Sequence, residues 1–268
     1  MFRIFRKARD DALTASKPRL YLRYALGEVL LVSVGILIAL EVNNWNEERI
    51  EQRQIREYAQ ALISDLERDI AMVEPITRQM QRTLDVIDSL GTYTRGKSLD
   101  QINNLDLYYL VFLAGYRPYQ WHRAAVEQLK GSGALSDIKN ADLVMKITAY
   151  DSLTHHLDED YAMDYEIWFE AMKLANEVVD ANYPMDEHAM GVLRELWLQP
   201  YAFPAKSFHE LYQGTDLQLL TDDMNEVRVL VNKFGSLGNI KAHTDHEIPS
   251  LLANAKELID LLKTEYPQ

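Results

Sequence analysis

Residues 91–98 read GTYTRGKS and satisfy the phosphate-binding pattern G-x-x-x-x-G-K-[ST] at every position. In a nucleotide-binding protein that loop follows a buried strand and opens a helix, so that backbone N–H groups and the lysine, here Lys97, hold phosphate oxygens. The residues ahead of it are RTLDVIDSL, where Leu84, Ile87 and Leu90 keep a helical spacing and Asp85 and Asp88 fall between. This predicts the end of a helix with Gly91 as its stop, then a helix–helix turn carrying an exposed Lys97. No alternating βαβ framework accompanies the loop, and a chain of this size matches the pattern by chance roughly once in a hundred. The sequence predicts no nucleotide binding.

Two histidine pairs offer metal-ligand chemistry. His155 and His156 face Glu159 and Asp160 four residues on, while His243 and His246 stand three apart beside Asp245 and Glu247. Imidazole with carboxylate suits zinc or another divalent ion. Neither H-E-x-x-H nor E-x-x-H occurs, so the metalloprotease and di-iron bundle patterns are missing. Pairs of this kind are common on helix surfaces, and the expectation is no metal and no other cofactor. GSG at Gly131–Gly133 is not a G-x-S-x-G nucleophile turn; it reads as the stop of a helix ending near Lys130. The chain has no cysteine, which removes disulfides and thiolate chemistry. Its aromatic residues are densest in YRPYQWH, Tyr116–His122, and read as core more than as a ligand pocket. No catalytic residue emerges, and the chain is read as a non-enzyme.

The elements that would position these residues are helical. Only 11 glycines and 8 prolines punctuate 268 residues, no strand alternation is sustained, and 47% of residues are hydrophobic, enough for a sizeable core. Ile55, Ala59, Leu62, Leu66, Ile70, Val73, Ile76, Met80, Leu84, Ile87 and Leu90 recur at a mean step of about 3.5, the coiled-coil or bundle period. They predict a long stalk helix with a kink at Pro75. A second long helix is expected over 141–179, capped by Asn140, with Val144, Ile147, Tyr150, Leu157, Tyr161, Trp168, Met172 and Val179 as its stripe. Shorter helices are expected at 99–113 (Ser98 and Gln101 as a capping box), 118–130 (Pro118 in the first turn), 187–198, 216–233 and 240–265. The class is all-α.

Charge and hydropathy place the chain. Residues 1–23 hold seven cations and two anions, which leaves −18 on the rest of a chain whose total is −13. An acidic body repels phosphates, so no nucleic-acid partner is expected. Residues 24–42, YALGEVLLVSVGILIALEV, would reach about 28 Å as a helix, close to the hydrocarbon thickness of a bilayer. Tyr21, Arg23 and Tyr24 at one end and Trp45 at the other are the expected interface anchors. LEVNN is a poor signal-cleavage site after the apolar run. The organisation read from this is a basic cytoplasmic tail (1–23), a transmembrane helix (24–42) and an extracytoplasmic helical domain (43–268). Gly27, Leu31, Gly35 and Ala39 fall four apart with Glu28 beside them, a face of small residues through which membrane helices can pack against their copies.

Gly27–Glu28, GILIAL at Gly35–Leu40, NNWNEE at Asn43–Glu48 and LKGSGALSDIKNADLVMKITAYD at Leu129–Asp151 carry a resemblance. They resemble the signature of an uncharacterised family of single-pass bacterial membrane proteins. That resemblance implies an inner-membrane anchor with a helical periplasmic domain and brings no activity with it. The chain is therefore read as a membrane-anchored scaffold or interaction protein. Its expected partners are the lipid bilayer, copies of itself and another envelope protein. The alternative is a ligand-sensing domain that signals through a partner, since some twenty cytoplasmic residues hold no output domain.

Overall fold

A computed structural model describes residues 18–115, 119–183 and 216–267, and every regular element among them is helical. The all-α expectation holds. The chain divides into two units, Met1–Glu57 and Tyr58–Gln268.

Helix α1, Pro18–Thr94, begins in the first unit. An 18-residue window within it has a mean hydropathy of 2.2 and none of it is buried, so the helix is long and apolar enough to cross a membrane. Apolar residues surround the axis here, with Leu22, Leu26 and Val29–Val32 as exposed as Ile36–Ile38.

In the second unit the same helix is apolar along one stripe only. Ala59, Leu62, Leu66, Val73, Ile76, Met80 and Leu90 are buried as their spacing predicts, and Ile70, Leu84 and Ile87 partly so. Val86 joins them, because a 3.6-residue turn drifts across a 3.5-residue pattern. Pro75 stands inside α1 without ending it. Gly91 does not end it either, contrary to expectation: α1 runs on to Thr94, and the left-handed residue behind it is Gly96, at φ +75°. The extra turn has partners. Thr94 is buried with its hydroxyl on Leu90 O (3.0 Å), and the Tyr93 hydroxyl accepts the Asn103 N–H (2.9 Å). These contacts outweigh the roughly 1 kcal/mol that a helical glycine costs against alanine.

The remaining helices differ from expectation mainly at their starts. The 99–113 helix is broken: the Gln101 side chain caps Ser98 N–H (3.0 Å) over a 3₁₀ turn, Leu99–Gln101, and α2 is Asn104–Leu113. The 118–130 helix begins only at Ala124 (α3, Ala124–Gly131); Pro118 lies outside the described residues. Gly133, at φ +81°, follows α3 as the GSG reading expects and leads into the short α4, Ala134–Asp137. Helix α5, Ala141–Val178, matches closely, with Asn140 Oδ1 accepting from the N–H groups of Asp142 (3.1 Å) and Leu143 (3.2 Å). Helix α6 is Met224–Gly235, shorter than 216–233 at its start because the Asp223 carboxylate caps Asn225 N–H (2.8 Å). The last stretch is α7, Asn239–Ala242, a π-turn, His243–Glu247, and α8, Ile248–Glu265. The 187–198 expectation lies outside the described residues.

Carboxylates from distant elements satisfy two of these late starts. Asp65 Oδ2, on α1, accepts the Ala125 N–H of α3 (3.2 Å), and Asp216 Oδ1 accepts the Leu105 N–H of α2 (3.1 Å). Orphan amides at a helix start favour such anions. Asp69, 2% exposed, gathers more: the Tyr119 hydroxyl (3.0 Å), His122 Nδ1 (2.7 Å), the His122 N–H (3.2 Å) and the Tyr150 hydroxyl. Burial first, then the hydrogen bond to Asp69, holds both phenols well above the ordinary tyrosine value, so both stay protonated donors.

Removing the Tyr150 hydroxyl leaves Asp69 buried and short of a donor. Tyr150→Phe is expected to destabilise the fold by about 1–3 kcal/mol, while Tyr165→Phe on the exposed face of α5 changes it within about 0.5 kcal/mol. Thermal unfolding of the detergent-extracted chain, followed by helical circular dichroism, compares the two; equal midpoints would contradict the role given to Asp69.

Candidate functional site

Three features from the sequence can be placed. In the first unit, Gly27, Glu28, Leu31, Gly35 and Ala39 are all exposed, and a Cβ added at Gly27 or Gly35 would meet nothing within 4 Å. Within one chain that face is open. Arg23 and Trp45 are exposed too; Trp45 stacks under the Arg49 guanidinium at 5.8 Å, and Asn43 Nδ2 donates to Glu47 Oε1 at 2.8 Å. The NNWNEE segment is thus a run of i,i+4 pairs along a helix surface. The side chains of Tyr21 and Tyr24 are outside the described set.

The phosphate-loop look-alike lies where α1 ends, with no strand before it among the described residues. It borders an open groove of about 740 Å³ shared with α6, lined by Gly91, Arg95, Gly96, Lys97, Arg228 and Ser236 among others. Lys97 is half-buried, not exposed as expected, and its Nζ rests 3.5 Å from the centre of the Tyr93 ring. The aromatic face that ends the helix holds the ammonium group. Helical geometry persists through Gly91–Thr94, so these four backbone N–H groups serve the helix and do not form an open anion cradle.

The aromatic group at 116–122 belongs to the core where it is described. Tyr119 and Trp121 meet edge to face at 5.1 Å, and both pack on the main hydrophobic cluster. The cavity beside them, bounded by Ile76, Met80, Leu157 and Ile248, holds about 20 Å³. That is room for roughly one water and no organic ligand.

The histidines regroup. His155 turns to Asp151 O (2.8 Å), and His246 remains exposed on the π-turn. Their neighbours converge instead. His156 and Asp160 project from α5 and His243 and Glu247 from the π-turn, with His156 Nε2 3.1 Å from Glu247 Oε1 and 3.5 Å from Asp160 Oδ2. His243 Nε2, on a side chain 1% exposed, lies 3.3 Å from both Asp160 Oδ2 and Glu247 Oε2. One member of each expected pair thus takes part and the other does not. The π-turn brings His243 and Glu247 nearly into line, since its wider turn carries about one residue more than an α-turn.

Sequence reasoning missed the buried acids Asp65, Asp69 and Asp151. Their signal was available: Asp65 and Asp69 flank Leu66 four apart, inside the apolar register of α1. Asp151 is buried and takes Lys130 Nζ at 2.7 Å.

Among known families, the model of a family of unknown function (DUF6090) matches residues 28–151. The similarity spans less than half the chain, from Glu28 to Asp151. It takes in most of the apolar helix and the whole Asp69 network; His156, Asp160, His243 and Glu247 lie beyond it. No curated protein and no solved structure matches the chain.

Lys97 tests the loop directly. Lys97→Ala is expected to cost about 1 kcal/mol of stability, the worth of a partly exposed cation–π contact, and to leave function unchanged. Saturable ATP or GTP binding by the wild type that this substitution abolishes would overturn the assignment.

Proposed function

We propose that this chain is anchored in a membrane by residues 24–42 and works by association rather than catalysis. The carrying observation is uncovered apolar surface. Between Leu22 and Val42, twelve large apolar side chains are each 45% or more exposed. At about 1.5 kcal/mol or more for each one removed from water, the whole set represents on the order of 20 kcal/mol. A groove on another protein would cover one stripe, whereas this surface is apolar all round, which favours lipid.

The basic tail sets the orientation by the positive-inside rule: residues 1–23 in the cytoplasm and 43–268 across the membrane. The resemblance of residues 27–48 and 129–151 to bacterial single-pass proteins supports the inner membrane and the periplasm for these two places. Within the bilayer, copies meet through Gly27, Leu31, Gly35 and Ala39, where small side chains permit close packing. Glu28 borders that face, and a neighbouring helix would spare its carboxylate from lipid. An envelope protein recognised by the helical body is the further partner in this reading.

Crosslinking in native membranes tests it. Wild type is expected to give dimers or larger species, and Gly35→Leu and Glu28→Leu to give fewer. A wild type that stays monomeric, or variants that assemble as it does, would refute self-association.

A further inference from the structure

We propose that His156, Asp160 and Glu247, with His243 behind them, bind one divalent transition-metal ion, zinc in the first instance, and that the ion ties α5 to the C-terminal segment. The argument is independent of the membrane anchor. Around the cluster, imidazole and carboxylate alternate, and the four separations run from 3.1 to 3.5 Å. Metal–ligand bonds of about 2.0–2.1 Å place tetrahedral ligand atoms roughly 3.3 Å apart. One ligand atom each from His156, Asp160 and Glu247 already lies within 4.8 Å of the others. His243 stands outside that set, its Nε2 3.3 Å from Asp160 Oδ2 and from Glu247 Oε2 on the buried side.

Hydrogen bonding alone serves this arrangement badly. Each Nε2 faces two carboxylate oxygens, and a nitrogen that carries one proton cannot bond well to both. Glu247 Oε2 is buried and accepts no hydrogen bond, although His243 Nε2 is 3.3 Å away. Two carboxylates also stand together beside the buried His243, which shares a small cavity wall with the buried Ile248. A dication held by His156, Asp160 and Glu247 would meet a lone pair from each and offset the carboxylates' charge.

The donor set identifies the class of ion. The His156 imidazole favours zinc and its transition-metal neighbours over calcium or magnesium, which prefer all-oxygen shells. The chain has no cysteine to compete for the ion. Three protein ligands leave the fourth tetrahedral position to a water. What the ion would hold is the packing of α5 against residues 239–265, where Asn239 Nδ2 also donates to Asp160 O (3.4 Å). The half-exposed His156 gives the ion its way in.

The test uses the full-length chain in detergent, without a polyhistidine tag. After chelator dialysis it is titrated with zinc chloride against a chromophoric zinc indicator, and thermal unfolding is measured with and without zinc. One zinc per chain is expected, with a Kd on the order of a micromolar or tighter, and a midpoint that rises with zinc by mass action. His156→Gln and Glu247→Gln should bind at least about tenfold more weakly and lose the zinc-dependent rise. His155→Gln and His246→Gln, exposed neighbours outside the cluster, should behave as wild type. No saturable binding at one per chain, or equal binding by wild type and His156→Gln, would overturn the proposal; so would equal loss in His155→Gln.

Discussion

A helix that is apolar on every side and one that is apolar along a single stripe require different surroundings, and α1 contains both patterns. Up to Val42 its surface is uncovered and hydrophobic all round. From Ala59 onward, one stripe is buried and the other faces are polar. The first pattern is stable in lipid and the second against other helices under water. The other described helices follow the second pattern: they cover the stripe, and their polar ends must be satisfied where they meet it.

Acidic side chains meet that second requirement. Asp65 and Asp69 interrupt the stripe, and in water each would be hydrated. Buried, they accept an amide at the start of α3 and hydroxyl and imidazole donors from residues 119–150. Asp216 does the same for α2, taking Leu105 N–H and the Tyr183 hydroxyl (2.6 Å). Burial, followed by the hydrogen bond to Asp216, raises the Tyr183 phenol above its ordinary value too, so it remains a donor. A buried carboxylate with its donors removed is costly, which makes these residues points of specificity for how the helices dock.

How far the sequence revealed this depends on the range of the interaction. The α5 cap at Asn140 and the stop at Gly133 are local and were legible, because a side chain or a left-handed glycine acts within a turn. The breaks before α2 and α3 were not, since the carboxylate at the start of each lies about 60 or more residues away in the chain. Gly91 misled for a related reason: glycine commonly stops a helix, but Tyr93 and Thr94 gain partners from residues 103 and 90 if it does not. The histidines show the same limit. Each i,i+4 His–carboxylate pair was visible, His156 with Asp160 and His243 with Glu247, but only folding brings the two pairs within about 3 Å of each other.

The central claim is that residues 24–42 cross a bilayer once, with the helical body on the far side. Because the chain lacks cysteine, single cysteines introduced at Ala12 and at the exposed Ala149 on α5 report it without background. Intact spheroplasts are treated with a membrane-impermeant maleimide. Labelling at position 149, with position 12 protected until the membrane is permeabilised, is the expected result; labelling at 12 but not 149, or protection of both, would contradict it.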